Sequence, residues 1–396
     1  MTDKFSDIRP YTAEELPAVI EELIADPHFC EVIGTVFPQM PFEVFAAKAR
    51  SCRTSLDFQK AFCYPFLKQL AAEKSKGVSM DSSAVDKTGN YTFISNHRDI
   101  VLDSAFLSVL LLDNGFSNTT EIAIGDNLLI YPWIEKLVRV NKSFIVHRGL
   151  TIRQQLASSI QISGYMHYAI QQKKENVWIA QRQGRAKDSN DITQRSVIKM
   201  FGMGGEGTLI ERLQQLNLVP TAISYEYDPC DYLKAKEMQQ KRDNPDFRKA
   251  PNDDLVNMRT GIFGWKGEVH YKAAPCLNAW LSTLDPNTPN NDIFLLLRDK
   301  INEEIHRNYK LFPSNYIAAE MLRQLGVRNE EIDYDPATAE FTAHYTPSQC
   351  AEFEKYLSQH IALVDLDNPD TDYLRREILL MYANPLYNYY KATGEK

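Results

Sequence analysis

The sequence predicts an α/β fold: a mostly parallel-stranded sheet flanked by helices, with helical N-terminal and C-terminal regions. Three observations predict it. Between residues 91 and 273, short β-branched and apolar runs alternate with segments whose apolar residues recur at helical spacing, the order of elements that parallel sheets require. Before residue 76 and after residue 277 only the helical period persists. The 396 residues are 44% hydrophobic and 24% charged, ordinary values for a globular chain long enough to bury a full core, which excludes collagen-like, disordered and disulfide-scaffold classes.

Taken in order, residues 12–76 place Leu16, Val19, Ile20 and Leu23, then Phe42, Val44 and Phe45, at helical intervals broken by Pro38 and Pro41. Residues 1–80 are therefore expected to be helical. Residues 76–90 are rich in Gly, Ser and Asp and read as a linker or a turn into the next unit. An α/β unit follows over 81–276, with strands expected at 91–95, 121–124, 143–147, 177–181, 218–225 and 268–273. Its helices are expected at 100–112, 132–138, 151–172, 193–200 and 209–216. Residues 228–257 are polar and strongly charged, which predicts an exposed helix and a mobile loop. Residues 277–396 are helical again, with polar breaks at 285–291 and 329–336, and no internal repeat is present.

A net charge of -8 and a pI near 5.6 argue against a dedicated nucleic-acid binder, so an anionic ligand must meet a local basic patch. The six cysteines are scattered, form no Cys-x-x-Cys pair and follow no signal peptide, which suits reduced thiols in the cytoplasm. The longest apolar runs, 105–112 and 293–297, fall short of the roughly 20 residues of a membrane span, leaving surface attachment open.

Four stretches carry candidate chemistry. In residues 95–103 (SNHRDIVLD) His97 stands where a strand gives way to a helix, beside Asp99 and Asp103. A histidine held by a carboxylate can take a proton from a hydroxyl, and an Asp at a helix start can equally be a cap. Residues 143–149 (SFIVHRG) deliver Arg148 at a strand end, suited to clamping a phosphate or to an ordinary surface ion pair, while His147 points to the other face and reads as structural. Residues 177–188 (VWIAQRQGRAKD) run from a strand into a turn with Arg182, Gly184, Arg185 and Lys187, a phosphate cradle or a solvated basic loop. Residues 219–226 (VPTAISYE) read as a core strand.

In this order the four stretches resemble the glycerophosphate acyltransferase superfamily, which includes glycerol-3-phosphate, dihydroxyacetone-phosphate and lysophosphatidate acyltransferases. Asn96-His97, the strand ending in Arg148, Gly184-Arg185 and Val219-Pro220 answer the family pattern in turn, and the resemblance covers about residues 91–274. Residues 312–319 are faintly similar to the helical tail of the glycerol-3-phosphate branch. Three departures stand out. The family aspartate falls at position 102, which is Leu102, so Asp103 is favoured with one residue absorbed in the turn, and Asp99 is its rival. Gln183 replaces the family glutamate, keeping an acceptor and losing the charge, and Arg185 follows Gly184 one place early.

The resemblance implies transfer of a fatty acyl group from acyl-coenzyme A or acyl carrier protein to a hydroxyl of glycerol 3-phosphate or a related phosphorylated acceptor, in phospholipid synthesis. His97 would be the general base, oriented by Asp103 or Asp99. Arg148, Arg185 and Lys187 would hold the acceptor phosphate, Gly184 would allow close backbone approach and Gln183 would orient the polyol. No metal or bound cofactor is implied. Such an enzyme would work as a peripheral protein on the inner face of the membrane. Tyr382, Tyr387, Tyr389 and Tyr390 are placed either at the lipid interface or, the favoured alternative, against the core. Rival functions are acyl transfer to an amine or a non-phosphorylated acceptor, and a non-catalytic lipid-binding relative.

Overall fold

The computed structural model describes residues 3–250, 252–327, 332 and 340–394. The polar break expected at 329–336 lies, Ile332 apart, outside the described residues. Helices α1 (Leu16–Ile24), α2 (Pro27–Val36), α3 (Phe42–Ser51), α4 (Ser55–Phe58) and α5 (Tyr64–Lys74) lead into the sheet. The central unit runs β1 (Gly77–Asp81), β2 (Thr92–Ser95), α6 (Leu102–Asp113), β3 (Thr120–Gly125), α7 (Pro132–Val140), β4 (Ser143–Val146), α8 (Ile152–Tyr168) and β5 (Asn176–Ala180). It continues with α9 (Arg195–Phe201), α10 (Leu209–Gln214), β6 (Leu218–Tyr225), α11 (Asp231–Asp243), α12 (Asp253–Phe263) and β7 (Glu268–Ala273). Helices α13 (Asn278–Leu281), α14 (Asn290–Arg307), α15 (Pro313–Gln324), α16 (Pro347–Ala362) and α17 (Thr371–Thr393) complete it.

The seven strands order as β1-β7-β6-β2-β5-β3-β4, parallel throughout except for the β6–β7 pair. Side chains alternate across the sheet, so Phe93 and Ile94 enter different cores. Ile94, Phe144, Val177 and Ile179 pack on Tyr165 and Met166 of α8 and on Leu297 and Ile301 of α14. Phe93, Trp178, Val219 and Tyr271 pack on Phe106 and Leu107 of α6. The N-terminal helices build their own aromatic core from Phe29, Phe45, Phe58 and Phe62. Among the described residues no helix is long and apolar enough to cross a membrane.

Two expectations are corrected and one open alternative is decided. Residues 77–81, read as part of a linker, form β1, a parallel edge strand on β7, so the expected boundary at residue 80 falls inside an element. Its Gly-Val-Ser-Met-Asp sequence does alternate, with Val78 and Met80 packed on the core, but two apolar residues among Gly, Ser and Asp are too short a pattern to stand out from a linker composition. The helix expected within residues 228–257 is not exposed: α11 buries a polar face of Asp231, Lys234, Glu237 and Gln239, and α12 follows after an almost wholly exposed stretch at 244–250. Burial is tolerated because the charges are paired, Lys234 with Asp228 and Glu237 with Lys187. Of the two placements weighed for the C-terminal tyrosines the favoured one holds: Tyr382, Tyr387 and Tyr390 are buried in the C-terminal core and Tyr389 packs against it, not at a lipid interface.

Lys234 is 1% exposed, and Asp228 is the carboxylate that balances it. Asp228→Asn leaves a buried ammonium unpaired and is expected to cost about 3–5 kcal/mol in urea unfolding. The double variant Asp228→Asn/Lys234→Met is expected to recover much of that loss, and a double variant no more stable than the single one would show that the pair does not set the effect.

Candidate active site

Parallel strands bring their carboxyl ends to one edge of the sheet, where α/β proteins place ligands. At that edge β2 ends at Ser95, β4 at Val146 and β5 at Ala180, so the expected site residues 97–103, 148 and 183–187 share it. From β2 to β4 there are three strand spacings, roughly 14 Å at about 4.8 Å each.

The β2–α6 turn is held from both sides. Asn96 is fully buried and copies a ladder bond onto β6, its Nδ2 donating to the Ile223 carbonyl at 2.9 Å and its Oδ1 accepting from the Ile223 N–H at 2.8 Å. Asp103, in the first turn of α6 and fully buried, accepts at Oδ2 from the His97 ring Nδ1 (2.8 Å), the Arg98 N–H (2.6 Å) and the Asp99 N–H (3.1 Å). The chain thus wraps around one carboxylate oxygen, and the extra residue between His97 and Asp103 is absorbed in that wrap. With Nδ1–H donated to a carboxylate, Nε2 carries the lone pair, the tautomer a general base requires. The ring lies edge-on to Trp178 with centroids 5.6 Å apart, and Trp178 is itself held by its indole N–H on Ser95 Oγ at 3.0 Å.

Asp99 takes the other role that an aspartate has at a helix start. Its Oδ1 accepts from the N–H groups of Val101 and Leu102, both at 2.8 Å, capping α6. Burial, with the neighbouring Asp103 charge, pushes its carboxyl above the ordinary aspartate value. Space for it is left by Gly261 on α12, where a Cβ would fall 1.9 Å from Asp99 Oδ2.

The cations are disposed unequally. Asp126, just after β3, accepts from the Arg148 N–H (3.0 Å) and pairs with His147 Nδ1 (3.1 Å), which gives His147 a structural role. The Arg148 guanidinium itself has no hydrogen-bond partner among the described residues, and its Nε is buried. Gly125 makes room for it, since a Cβ there would come within 3.0 Å of Nε. Arg185 donates from Nη2 to Asn257 Oδ1 at 2.7 Å, while its buried Nη1 has no partner. Gly184 has a φ of +72°, a left-handed conformation that favours glycine, and it is exposed together with Gln183, whose N–H donates to Gln194 Oε1 at 2.6 Å. Lys187 is drawn away into an ion pair with Glu237, a carboxylate that also takes Lys241 at 2.8 Å.

Behind the turn, Arg98 forks onto Asp191 at 2.5 and 3.3 Å, and Asp191 also accepts from the Tyr309 hydroxyl at 2.5 Å. Sequence reasoning misses Asp126, Asp191, Asn257 and Gly261. Asp126 sits at the end of a recognisable strand and was open to detection, whereas the other three act from loops and helices remote in sequence and carry no local signal. Among the described residues no group of three or more His, Cys, Asp and Glu side chains is placed to hold a metal ion.

No protein-family model matches the chain, and no curated protein matches it. Among solved structures it is similar to the crystal structure of the 1-acyl-sn-glycerophosphate (LPA) acyltransferase PlsC from Thermotoga maritima, at 12% identity over 81% of this chain and 100% of that chain, with a TM-score of 0.36. A likeness this slight carries no argument about activity. What stands is an α/β sheet whose carboxyl edge gathers a carboxylate-held histidine and two partly unpartnered arginines.

A raised pKa means that the native state holds the Asp99 proton more tightly than the unfolded chain, so ionisation costs stability as pH rises through the native value. Asp99→Asn keeps the capping oxygen and removes that cost. The variant is expected to melt above the wild type at pH 8, with the difference narrowing on acidification towards the ordinary value of 3.8. A difference that widens on acidification would contradict the assignment.

Proposed function

We propose that this chain transfers a fatty acyl group from a thioester, acyl-coenzyme A or acyl carrier protein, to a hydroxyl of glycerol 3-phosphate or a similar phosphorylated acceptor, as in phospholipid synthesis. The observation that carries the reading is the His97–Asp103 pair at the carboxyl edge of the sheet, on the same edge as the unpartnered Arg148 guanidinium. The order of the four stretches, with its resemblance to the glycerophosphate acyltransferases, supplies the substrate class. Donor and product are amphiphilic, so the chain would act at the inner surface of a membrane as a peripheral protein.

In this reading His97 Nε2 takes the acceptor hydroxyl proton as the oxygen attacks the thioester carbonyl carbon. The C–O bond forms, and the tetrahedral intermediate then breaks its C–S bond. The leaving thiolate recovers the proton from the imidazolium, giving an ester and a free thiol. Asp103 holds the ring and stabilises its cation, and its second oxygen, buried without a hydrogen-bond partner, leaves that carboxylate with little else to satisfy it. Arg148 and Arg185 would hold the phosphate by charge-assisted hydrogen bonds, with Gly184 giving the acceptor access to the backbone. Lys187, engaged by Glu237 and with its ammonium disfavoured by burial and the nearby Lys241, would be withheld from the phosphate. Gln183 is exposed and would meet the polyol hydroxyls.

The test is thiol release from palmitoyl-coenzyme A with glycerol 3-phosphate. His97→Ala is expected to lose nearly all turnover, and Asp103→Asn to fall by about 10²- to 10⁴-fold in kcat. Arg148→Ala is expected to raise KM for the phosphorylated acceptor far more than it lowers kcat, and to leave KM for a phosphate-free acceptor unchanged. Turnover with amine or phosphate-free acceptors alone would overturn the acceptor class. Activity that emerges only in Gln183→Glu would favour a non-catalytic lipid-binding relative.

A further inference from the structure

The N-terminal half of α8 does not pack. Residues 151–157 are all exposed, whereas Ile162, Tyr165 and Met166 further along the same helix are buried in the sheet core. Ile152, Leu156 and Ile160, spaced four apart and so on one helical face, are 86%, 54% and 49% exposed. The β3–α7 connection, which Asp126 ties to Arg148, exposes Ile130 and Tyr131 as well. Exposed apolar side chains scattered singly need no explanation, but a row of them on two projecting helical turns does.

Charge narrows the occupant. The chain has 52 Asp and Glu, yet none between Lys136 and Lys174; in that stretch Arg139, Lys142 and Lys173 are paired with Glu135, Glu175 and Glu121, while the side chains of Arg148 and Arg153 have no carboxylate partner among the described residues. Nothing in that stretch would repel an anionic surface. A second copy of the chain is a poorer fit, because three aliphatic side chains offer far less than the roughly 800 Å² per partner of a stable interface. The side of the projecting turns opposite that row is Gln154 and Ser158, with Gln155 and Ser159 on one flank of the row and Ala157 and Arg153, the one charge, on the other. We propose that this end of α8 is a lipid-docking element that inserts Ile152, Leu156 and Ile160 into the headgroup boundary of a bilayer, held more by apolar burial than by charge. Arg148 lies three residues before Thr151, so docking would set that cation at the level of the lipid phosphates.

The proposal rests on the exposed surface and not on acyl transfer: a chain that binds vesicles and releases no thiol keeps this inference and loses the other. The experiment is flotation of the full chain with vesicles of phosphatidylethanolamine and phosphatidylglycerol at low and high salt. The wild type is expected to float at both. Ile152→Asp/Leu156→Asp is expected to lose about tenfold or more in partitioning at an unchanged melting temperature, since both side chains are exposed. Trp265→Ser, which removes an exposed aromatic elsewhere, is expected to float as the wild type does. The proposal is overturned if the wild type stays with the soluble fraction, if the double variant floats equally, or if Trp265→Ser abolishes flotation. It is overturned in favour of self-association if the double variant converts a dimer to a monomer in solution.

Discussion

One buried carboxylate oxygen organises the site. Asp103 Oδ2 gathers the His97 ring and two consecutive backbone N–H groups, so the shape of the β2–α6 turn and the orientation of the histidine are a single fact. The first turn of α6 is also where a helix favours negative charge. The arrangement positions the imidazole as the proposed base would need, because the one ring nitrogen with a strong acceptor is committed and the other has no partner among the described residues.

That turn is braced by parts of the chain far from it. Arg98 is locked to Asp191, which holds a left-handed φ of +50° and receives the Tyr309 hydroxyl from the segment after α14. Lys234 of α11 reaches the Arg98 carbonyl oxygen, and α12 presents Asn257 to Arg185 and Gly261 to Asp99 from one helical face. The C-terminal helices and the insertion between β6 and β7 are therefore not appendages. They close the back and flank of the turn, and a loss of packing there would be felt at His97 through Arg98.

The sequence made strands legible where they were buried on both faces, as at 218–225, or alternated buried and half-buried positions over six residues, as at 268–273, and both were read to the residue. It hid β1, whose edge position lets Ser79 and Asp81 stand in a strand, and it hid the burial of α11, whose inner face is made of paired charges rather than aliphatics. At the site, the spacing from His97 left Asp99 and Asp103 as rivals. Only the fold of the turn separates them, giving one the imidazole and the other the helix cap. Composition left the C-terminal tyrosines between lipid and core, and the fold packs them, while the plain-looking start of α8 is apolar surface left open.

The central claim is that Asp103 fixes His97 as an Nδ1–H, Nε2-basic ring, and ¹⁵N chemical shifts of labelled histidine test it without a substrate. With His97 assigned by its loss in His97→Gln, the neutral ring is expected to show a protonated Nδ1 and a bare Nε2 in the wild type. Asp103→Asn is expected to mix the tautomers. A wild-type ring protonated at Nε2, or a spectrum indifferent to Asp103, would contradict the account.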